Sequence, residues 1–134
     1  MSREEVKSEL IKARKALKSA RILLESGSYE DSISRSYYTI LHATKAALIL
    51  GGISVESHSA ARRLFGRHFI KTGRFDVKYA KILNTEQDMR YRADYDSMYV
   101  AHEQDAKECV NDAEDFLHAI EHYLKAEGVD MTGD

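Results

Sequence analysis

Apolar residues near the N-terminus recur at alternating steps of four and three, the spacing of one face of an α helix. They are Val6, Leu10, Ala13, Leu17, Ala20 and Leu24. Gly27 follows this stripe, and glycine is the residue that most often ends a helix. The pattern therefore predicts a first helix of about six turns that buries one side.

The next segment, "YEDSISRSYYTILHATKAALIL", is apolar over most of a helical circumference and ends at Gly51 and Gly52. Its main stripe consists of Ile33, Tyr37, Ile40, Leu41, Thr44, Ala47 and Leu48. A helix that is apolar on most sides is surrounded by other helices. We therefore predict a central second helix, with Ser28 as its N-cap.

Two less regular helices follow. Ser57 is a candidate N-cap for a short helix that extends to Gly73. The phenylalanines of this helix have the spacing of residues that face a core. A fourth helix is predicted to begin at about Asp76 and to continue into "RYRADYD". Val77 and Leu83 are among the residues it offers to the core.

The last helix has the clearest pattern of all, and Gly128 ends it. Its stripe consists of Val110, Ala113, Leu117, Ile120 and Leu124. No segment alternates with period two for long enough to indicate a strand. The sequence therefore predicts an all-α, up-and-down helical bundle of four long helices plus a shorter one.

Composition narrows the class of protein. The chain has 134 residues, of which 43% are hydrophobic and 31% charged, as expected for a single globular domain. One cysteine excludes an intrachain disulfide, and no apolar run is long enough for a membrane span. We expect one domain over residues 1–134, with residues 1–4 and 127–134 frayed. We also expect a cytoplasmic location, no membrane contact, no cofactor and no metal.

The charges are distributed unevenly. Residues 58–81 carry seven Lys/Arg against Asp76 alone, whereas residues 86–134 carry four Lys/Arg against fourteen Asp/Glu. The gradient is typical either of solvated helix faces or of self-association that brings opposite charges together.

Two segments carry residue types that occur in binding and catalytic sites. In "RSYYTILH", helical spacing puts Arg35, Tyr38 and His42 on one side, either in a polar pocket or around a satisfied, partly buried histidine. In "HSAARRLFGRHFIKTGRF", cations alternate with phenylalanines. Such a mixture suits RNA, but the phenylalanines are expected in the core, so only the positive charge is left to indicate RNA binding.

The segments "RSYYTILHATKAALILGG", "SHSAARRLFGRHFIKTGRFD" and "RYRADYD" occur in an order that resembles the HEPN superfamily. The chain is most similar to its UPF0332 branch, over about residues 5–125. The resemblance implies a helical bundle that is usually dimeric. It also implies a role like that of its relatives, many of which are RNase toxins encoded beside a minimal nucleotidyltransferase, while others bind nucleotides or RNA without cleavage.

Active members of that family share an arginine followed four to six residues later by a histidine. The resemblance places this arginine at Arg92. No histidine lies in the required window, and His102 comes ten positions after Arg92. The catalytic pair implied by the resemblance is therefore not intact at Arg92.

We therefore expect a homodimer that binds a nucleotide or RNA, in a toxin–antitoxin-type pair with a minimal nucleotidyltransferase. The candidate ligand-binding residues are Arg92, Asp94, Tyr95, Tyr38, His42 and Arg35. One alternative is a metal-independent RNase with a rebuilt site, in which Arg92 acts with one of Tyr95, His102 and His42. The other is a partner-binding module without enzymatic activity.

Overall fold

The chain forms an all-α bundle in a computed structural model that describes residues 2–131. Over these residues it has five α helices and no strand. The helices are α1 (Ser2–Glu25), α2 (Tyr29–Leu50), α3 (His58–Phe65), α4 (Val77–Tyr95) and α5 (Glu103–Ala126). The predicted set of four long helices and one short helix is confirmed. Residue 1 and residues 132–134, part of the ends expected to fray, lie outside the described residues.

The turn between α1 and α2 has the hydrogen bonds that a left-handed glycine makes at a helix end. Gly27 has a φ of 82°. Its N–H donates to Leu24 O at 3.2 Å, and the N–H of Ser28 donates to Leu23 O at 2.9 Å. This Schellman arrangement satisfies carbonyls that the helix leaves free. Gly27 ends α1 as predicted, but the side chain of Ser28 makes no capping hydrogen bond to α2.

Helix α2 is the centre of the bundle and packs against each of the other four α helices. Its fully buried apolar residues are Ile33, Tyr37, Ile40, Ala43, Ala46, Ala47 and Leu48. The small alanine side chains among them let neighbouring helices approach closely. The predicted central position of α2 is confirmed.

Helix α3 is held by its N-cap and by an aromatic core. The Ser57 hydroxyl accepts a hydrogen bond from the N–H of Ala60 at 3.1 Å, as its candidate capping role predicts. A π-helical turn, Gly66–Ile70, then continues the helix. Phe65 and Phe69 point into the core, where their ring centroids lie 5.5 Å apart. The cations of this segment are therefore left on its outer side.

Helix α4 is attached to the bundle by few buried residues. Only Leu83 and Glu86 of this helix are buried. The expectation that Val77 belongs to the core is wrong, since it is 56% exposed. Tyr79, two residues and about 200° further round the helix, contacts Phe75 of the aromatic core instead. None of the five described α helices is both long and apolar enough to cross a membrane.

Glu86 is a carboxylic acid enclosed between α4 and α5, with 1% of its surface exposed. Burial, together with the nearby Asp112, raises the pKa of Glu86 well above its usual range, although the Cys109 thiol opposes the shift. The pKa of that thiol is itself raised by burial and by Glu86. Both groups therefore hold their protons, and Cys109 lacks the thiolate that a reactive cysteine needs.

We expect Glu86→Gln to stabilise the fold in a pH-dependent way. Above about pH 4.5 the unfolded chain loses this proton while the folded chain keeps it, so the parent loses stability as the pH rises. The advantage of the variant in free energy of unfolding should grow by about 1.4 kcal/mol per pH unit until the folded-state pKa is reached.

Urea denaturation of both proteins at several pH values measures this difference. The exposed Glu56→Gln is the matched control, because it removes the same charge from the surface. A difference between Glu86→Gln and the parent that does not change with pH would contradict the prediction.

Candidate functional site

A compact group of polar and aromatic side chains lies where α2, α3 and α4 meet. We call it the arginine–tyrosine cluster: Tyr37, Tyr38, His58, Arg90, Asp94 and Tyr95. Arg90 of α4 is at its centre, with a side chain that is 12% exposed. Its guanidinium carbon lies 5.3 Å from the ring centroid of Tyr37 and 5.7 Å from that of Tyr95. Arginine over aromatic faces is a favourable cation–π arrangement, and more so when it is shielded from water.

The charge of Arg90 is maintained by the groups around it. Burial by itself lowers the pKa of Arg90, but Tyr38, Asp94 and Tyr95 outweigh this, so the net pKa shift is upward. Nη1 lies 3.5 Å from Oδ2 of Asp94, one turn further along α4. The same carboxyl oxygen accepts a hydrogen bond from Ser34 of α2 at 3.3 Å. The guanidinium is thus a fixed cation whose Asp94 partner is held by α2.

His58, the first residue of α3, is the third component. Its Nδ1 lies 3.4 Å from Nη2 of Arg90. A guanidinium can only donate, so Nδ1 must be the unprotonated nitrogen of the ring. Burial first, and then the charges of Arg90 and Lys45, lower the pKa of His58. At neutral pH His58 is therefore an uncharged imidazole beside a charged arginine, an arrangement in which histidine can accept a proton.

Tyrosine rings enclose the guanidinium and leave polar atoms without partners. The rings of Tyr37 and Tyr38 have centroids 5.4 Å apart, and that of Tyr37 lies 5.5 Å from His58. Burial raises the pKa of Tyr37 to about 12, so its phenol stays protonated. The Tyr37 hydroxyl and Nε of Arg90 are buried without a hydrogen bond among the described residues. A buried donor without an acceptor costs about 1–3 kcal/mol, and a ligand oxygen would relieve that cost.

Arg35 and His42 flank this cluster on the side of α1. The guanidinium of Arg35 lies 4.9 Å from the ring centroid of Tyr38. His42 is held by α1, because its Nδ1 donates to Oε1 of Glu9 at 2.6 Å. Lys45 lies 3.8 Å from the other oxygen of Glu9. His42 therefore has a carboxylate partner and lies at the edge of the cluster, with its ring centroid 6.5 Å from that of Tyr38.

Four of the six residues expected at the site, Tyr38, Asp94, Tyr95 and Arg35, lie in the cluster or against it, and His42 lies at its edge. Arg92 does not. It is exposed, and within residues 2–131 its side chain has no hydrogen bond or ion pair. Arg92 comes two positions after Arg90 in the helix, a rotation of about 200°, so their side chains point to nearly opposite sides. His102, named for the alternative RNase site, is the N-cap residue of α5, where its N–H donates to Asp105.

Sequence reasoning missed the roles of three cluster residues. Arg90 was not among the predicted site residues, although Leu83, two turns earlier on the predicted helix, indicates that Arg90 lies on the inward face. Tyr37 was predicted to lie in the core, and its ring does lie there. One face of that ring, however, is in contact with the guanidinium of Arg90. No local sequence pattern indicated a role for His58, because its position depends on how residues 51–57 bring the chain back against α2.

The family profile for the HEPN domain matches residues 6–126. The chain therefore belongs to the HEPN family, as the resemblance in its sequence indicated. It is 44% identical over 88 residues to a UPF0332 protein of Pyrococcus horikoshii, covering 65% of this chain and 62% of that one. It is 31% identical over 114 residues to a UPF0332 protein of Thermotoga maritima, covering 85% and 86%.

Relatives named as toxins share the family. A Methanocaldococcus jannaschii protein with the name "Putative toxin MJ0605" is 31% identical over 123 residues, covering 92% of this chain and 91% of the relative. The crystal structure of ST0689, an archaeal HEPN homologue, matches with a TM-score of 0.64 and 23% identity. It covers 89% of this chain and 97% of that one. At this identity the structural match supports the fold alone, and it agrees with the observed bundle.

We expect the charge of Arg90 to be measurable through His58. The pKa of His58 should lie below its usual value of 6.5, and Arg90→Gln should raise it by removing a repulsive positive charge. Arg92→Gln should leave it unchanged, because that side chain points elsewhere. Titration of the imidazole signals by NMR measures these shifts. Equal shifts in the two variants would contradict the described position of Arg90.

Proposed function

We propose that the chain binds a nucleotide or RNA through the arginine–tyrosine cluster. The observation that carries this proposal is the buried guanidinium of Arg90, which is charged, fixed by Asp94 and flanked by aromatic rings. A fixed guanidinium suits phosphate, which it can hold through two charge-assisted hydrogen bonds. The partnerless Nε adds a donor on the same group.

Aromatic and acidic groups beside Arg90 fit the rest of a nucleotide. Tyr95 is 66% exposed, so its ring is open to a base, and stacking on a base is favourable whatever the base. Asp94 can accept a hydrogen bond from a ribose hydroxyl while it contacts Arg90. Phosphate, base and ribose would thus have separate partners within two turns of α4.

The biological setting we propose is a toxin–antitoxin-type pair in which the second component is a minimal nucleotidyltransferase. Membership of the HEPN family and relatives with toxin names support the toxin half of this proposal. The nucleotidyltransferase is inferred from what the HEPN resemblance implies. If the chain is instead a module that binds only this partner, the parent protein should bind neither ATP nor RNA in the experiment below.

Metal-independent RNase activity is a second candidate, favoured by the contact between Arg90 and His58. The family's arginine–histidine pair is absent at Arg92, but here an arginine and a neutral histidine meet from different helices. In such a reaction the 2′-hydroxyl gives its proton to Nδ1 of His58, which exchanges its contact with Arg90 for one with the substrate, and the 2′-oxygen bonds to phosphorus. The bond from phosphorus to the 5′-oxygen breaks, and the 5′-oxygen takes a proton from water, so the products are a 2′,3′-cyclic phosphate and a 5′-hydroxyl. Arg90 would stabilise the charge on the phosphoryl oxygens.

We expect Arg90→Ala to weaken binding of ATP or a short RNA by about 1.5–3 kcal/mol, the range for a hydrogen bond to a charged group. Arg92→Ala is the matched comparison, because it removes the same side chain two residues away. Calorimetry for ATP and fluorescence anisotropy for a labelled RNA measure the affinities, and circular dichroism checks the fold. Loss of binding in Arg92→Ala but not in Arg90→Ala would support the sequence-based assignment instead.

Incubation of the same variants with RNA in the presence of EDTA separates binding from catalysis. Cleavage by the parent that both Arg90→Ala and His58→Ala abolish would favour the RNase. Binding without cleavage would favour the first proposal, and failure of the parent to bind either ligand would contradict it.

We also propose that a second copy of the chain covers an apolar strip next to the cluster. The strip consists of Tyr91, Met98 and Val100, which are 62%, 87% and 68% exposed. Tyr91 also contacts Tyr95, with ring centroids 5.2 Å apart. A concentration of exposed apolar side chains within one short segment of the chain favours an interaction surface, and closed two-fold dimers are the commonest oligomers.

Sedimentation velocity should therefore give a particle of twice the 15.3 kDa chain. Met98→Asp should shift the protein toward monomer, because it puts a charge into the covered strip. Ile22→Asp, at a similarly exposed position of α1, should not. A parent protein that sediments as a 15.3 kDa particle throughout the micromolar range would contradict the dimer.

A further inference from the structure

A wide groove, separate from the arginine–tyrosine cluster, runs between the α3 segment and α4. Its volume is about 1040 Å³. Arg62, Arg63, Arg67 and Lys71 line one wall, with Gly66 between them, and Asn84 belongs to the opposite wall. The groove therefore presents four cations along one side and a neutral amide on the other.

The cations of this groove have no acidic partner within residues 2–131, unlike several cations of α1 and α4. Arg14, Arg21 and Lys78, for example, all pair with carboxylates of α5. The reason lies in how α3 packs. Phe65 and Phe69 occupy its buried side, and the cations of the segment are left on the side that lines the groove. The positive charge there is not used within the chain.

Gly66 in the wall of this groove has no structural reason to be glycine. Its φ of −59° and ψ of −44° are ordinary for any residue in a helix. A Cβ built on it would meet no atom within 4 Å. Glycine destabilises a helix interior relative to alanine, so its presence needs another explanation. Close approach of a ligand to the backbone is one that fits, and π-helical turns such as Gly66–Ile70 are frequent at functional sites.

The groove begins next to the cluster. His58 belongs to the cluster, and the next residue, Ser59, already lines the groove. Arg62 is close enough to Tyr37 for its charge to lower the pKa of that phenol, against the larger effect of burial. One extended ligand can therefore occupy both places.

We propose that this groove binds the phosphodiester backbone of an RNA strand, one nucleotide of which occupies the arginine–tyrosine cluster. The inference rests on the proposed function and adds a second contact surface to it. A row of cations at helical intervals matches a ligand with repeated negative charges. The acidic face of a second copy fits less well, because Glu114, Asp115 and Glu121 of α5 are already paired within their own chain.

The salt dependence of RNA binding tests the groove directly. For a single strand, the slope of log affinity against log salt concentration decreases by about 0.7 for each phosphate contact that is lost. We expect Arg63→Gln/Arg67→Gln to reduce the slope for a fluorescein-labelled 12-nucleotide RNA by about 1.4. The control Lys18→Gln/Lys125→Gln, with two exposed cations outside the groove, should leave the slope unchanged.

Binding of ATP by the same double variant separates the groove from the cluster. ATP should bind Arg63→Gln/Arg67→Gln as it binds the parent, because the cluster is intact. An unchanged RNA slope in this variant, alongside weakened binding in Arg90→Ala, would overturn the groove and leave the proposed function standing. If the parent binds neither RNA nor ATP, both proposals fail.

Gly66→Ala provides a test that does not alter charge. The substitution should raise the melting temperature, because alanine favours the helix, and should weaken RNA binding, because its methyl group projects toward the ligand. A role in chain stability alone would not produce opposite changes. Unchanged RNA affinity in Gly66→Ala would count against a close approach at this residue. If Arg63→Gln/Arg67→Gln instead lowers the sedimenting mass with its RNA slope unchanged, the groove binds a second copy and the proposal is wrong.

Discussion

The position of α4 depends on a cation that lies against aromatic rings and is largely shielded from water. Helix α4 has few apolar anchors, since Leu83 and Glu86 are its only buried residues. Arg90, one turn beyond Glu86, compensates by contacting Tyr37 of α2 and His58 of α3. A guanidinium stays charged even where it is shielded from water, so its neighbours must replace the water, and here they are tyrosine rings, a carboxylate and a neutral imidazole. The contact that attaches α4 thereby creates the candidate site.

The sequence predicts those parts of the fold that a repeating pattern specifies. The stripes of α1, α2 and α5 determine which sides are buried, and residues such as Leu17, Ile40 and Leu117 lie in the core as expected. The π-helical turn after Phe65 could not be predicted, because its extra residue per turn leaves the hydrophobic spacing almost unchanged. Val77 was assigned to the core on hydrophobicity alone, and the exposed first turn of α4 does not reach it.

The site is harder to predict than the fold, because it combines residues from three helices, and no repeating pattern in the sequence shows that they lie close together. Asp94 and Tyr95 were identified through a family position, and Tyr38 through its neighbours on α2. The same family reasoning selected Arg92 rather than Arg90, a difference of two residues that reverses the side of the helix. Helical phase relative to Leu83 and Glu86 would have favoured Arg90. His58 required the path of the chain after α2, which is a property of the folded structure.

Two ion pairs join the basic first helix to the acidic last helix. Arg14 and Arg21 of α1 pair with Glu121 and Glu114 of α5, which absorbs part of the acidic excess seen in the last third of the sequence. Pairs that are this exposed add little stability. Their effect is on the surface potential, and within residues 2–131 the cations of α3 have no such carboxylate partner.

The cluster contains polar atoms without hydrogen-bond partners, and each of them lowers the stability of the fold. The Tyr37 hydroxyl and Nε of Arg90 each lack a hydrogen bond among the described residues, at a cost of about 1–3 kcal/mol apiece. That total is a large fraction of the 5–15 kcal/mol by which a domain is usually stable. The cost is acceptable because the rest of α2 is packed on nearly every side by apolar residues. The central helix therefore has two roles: its alanines and aliphatic residues stabilise the bundle, and this stability allows its tyrosines to enclose Arg90 although polar atoms there lack hydrogen-bond partners.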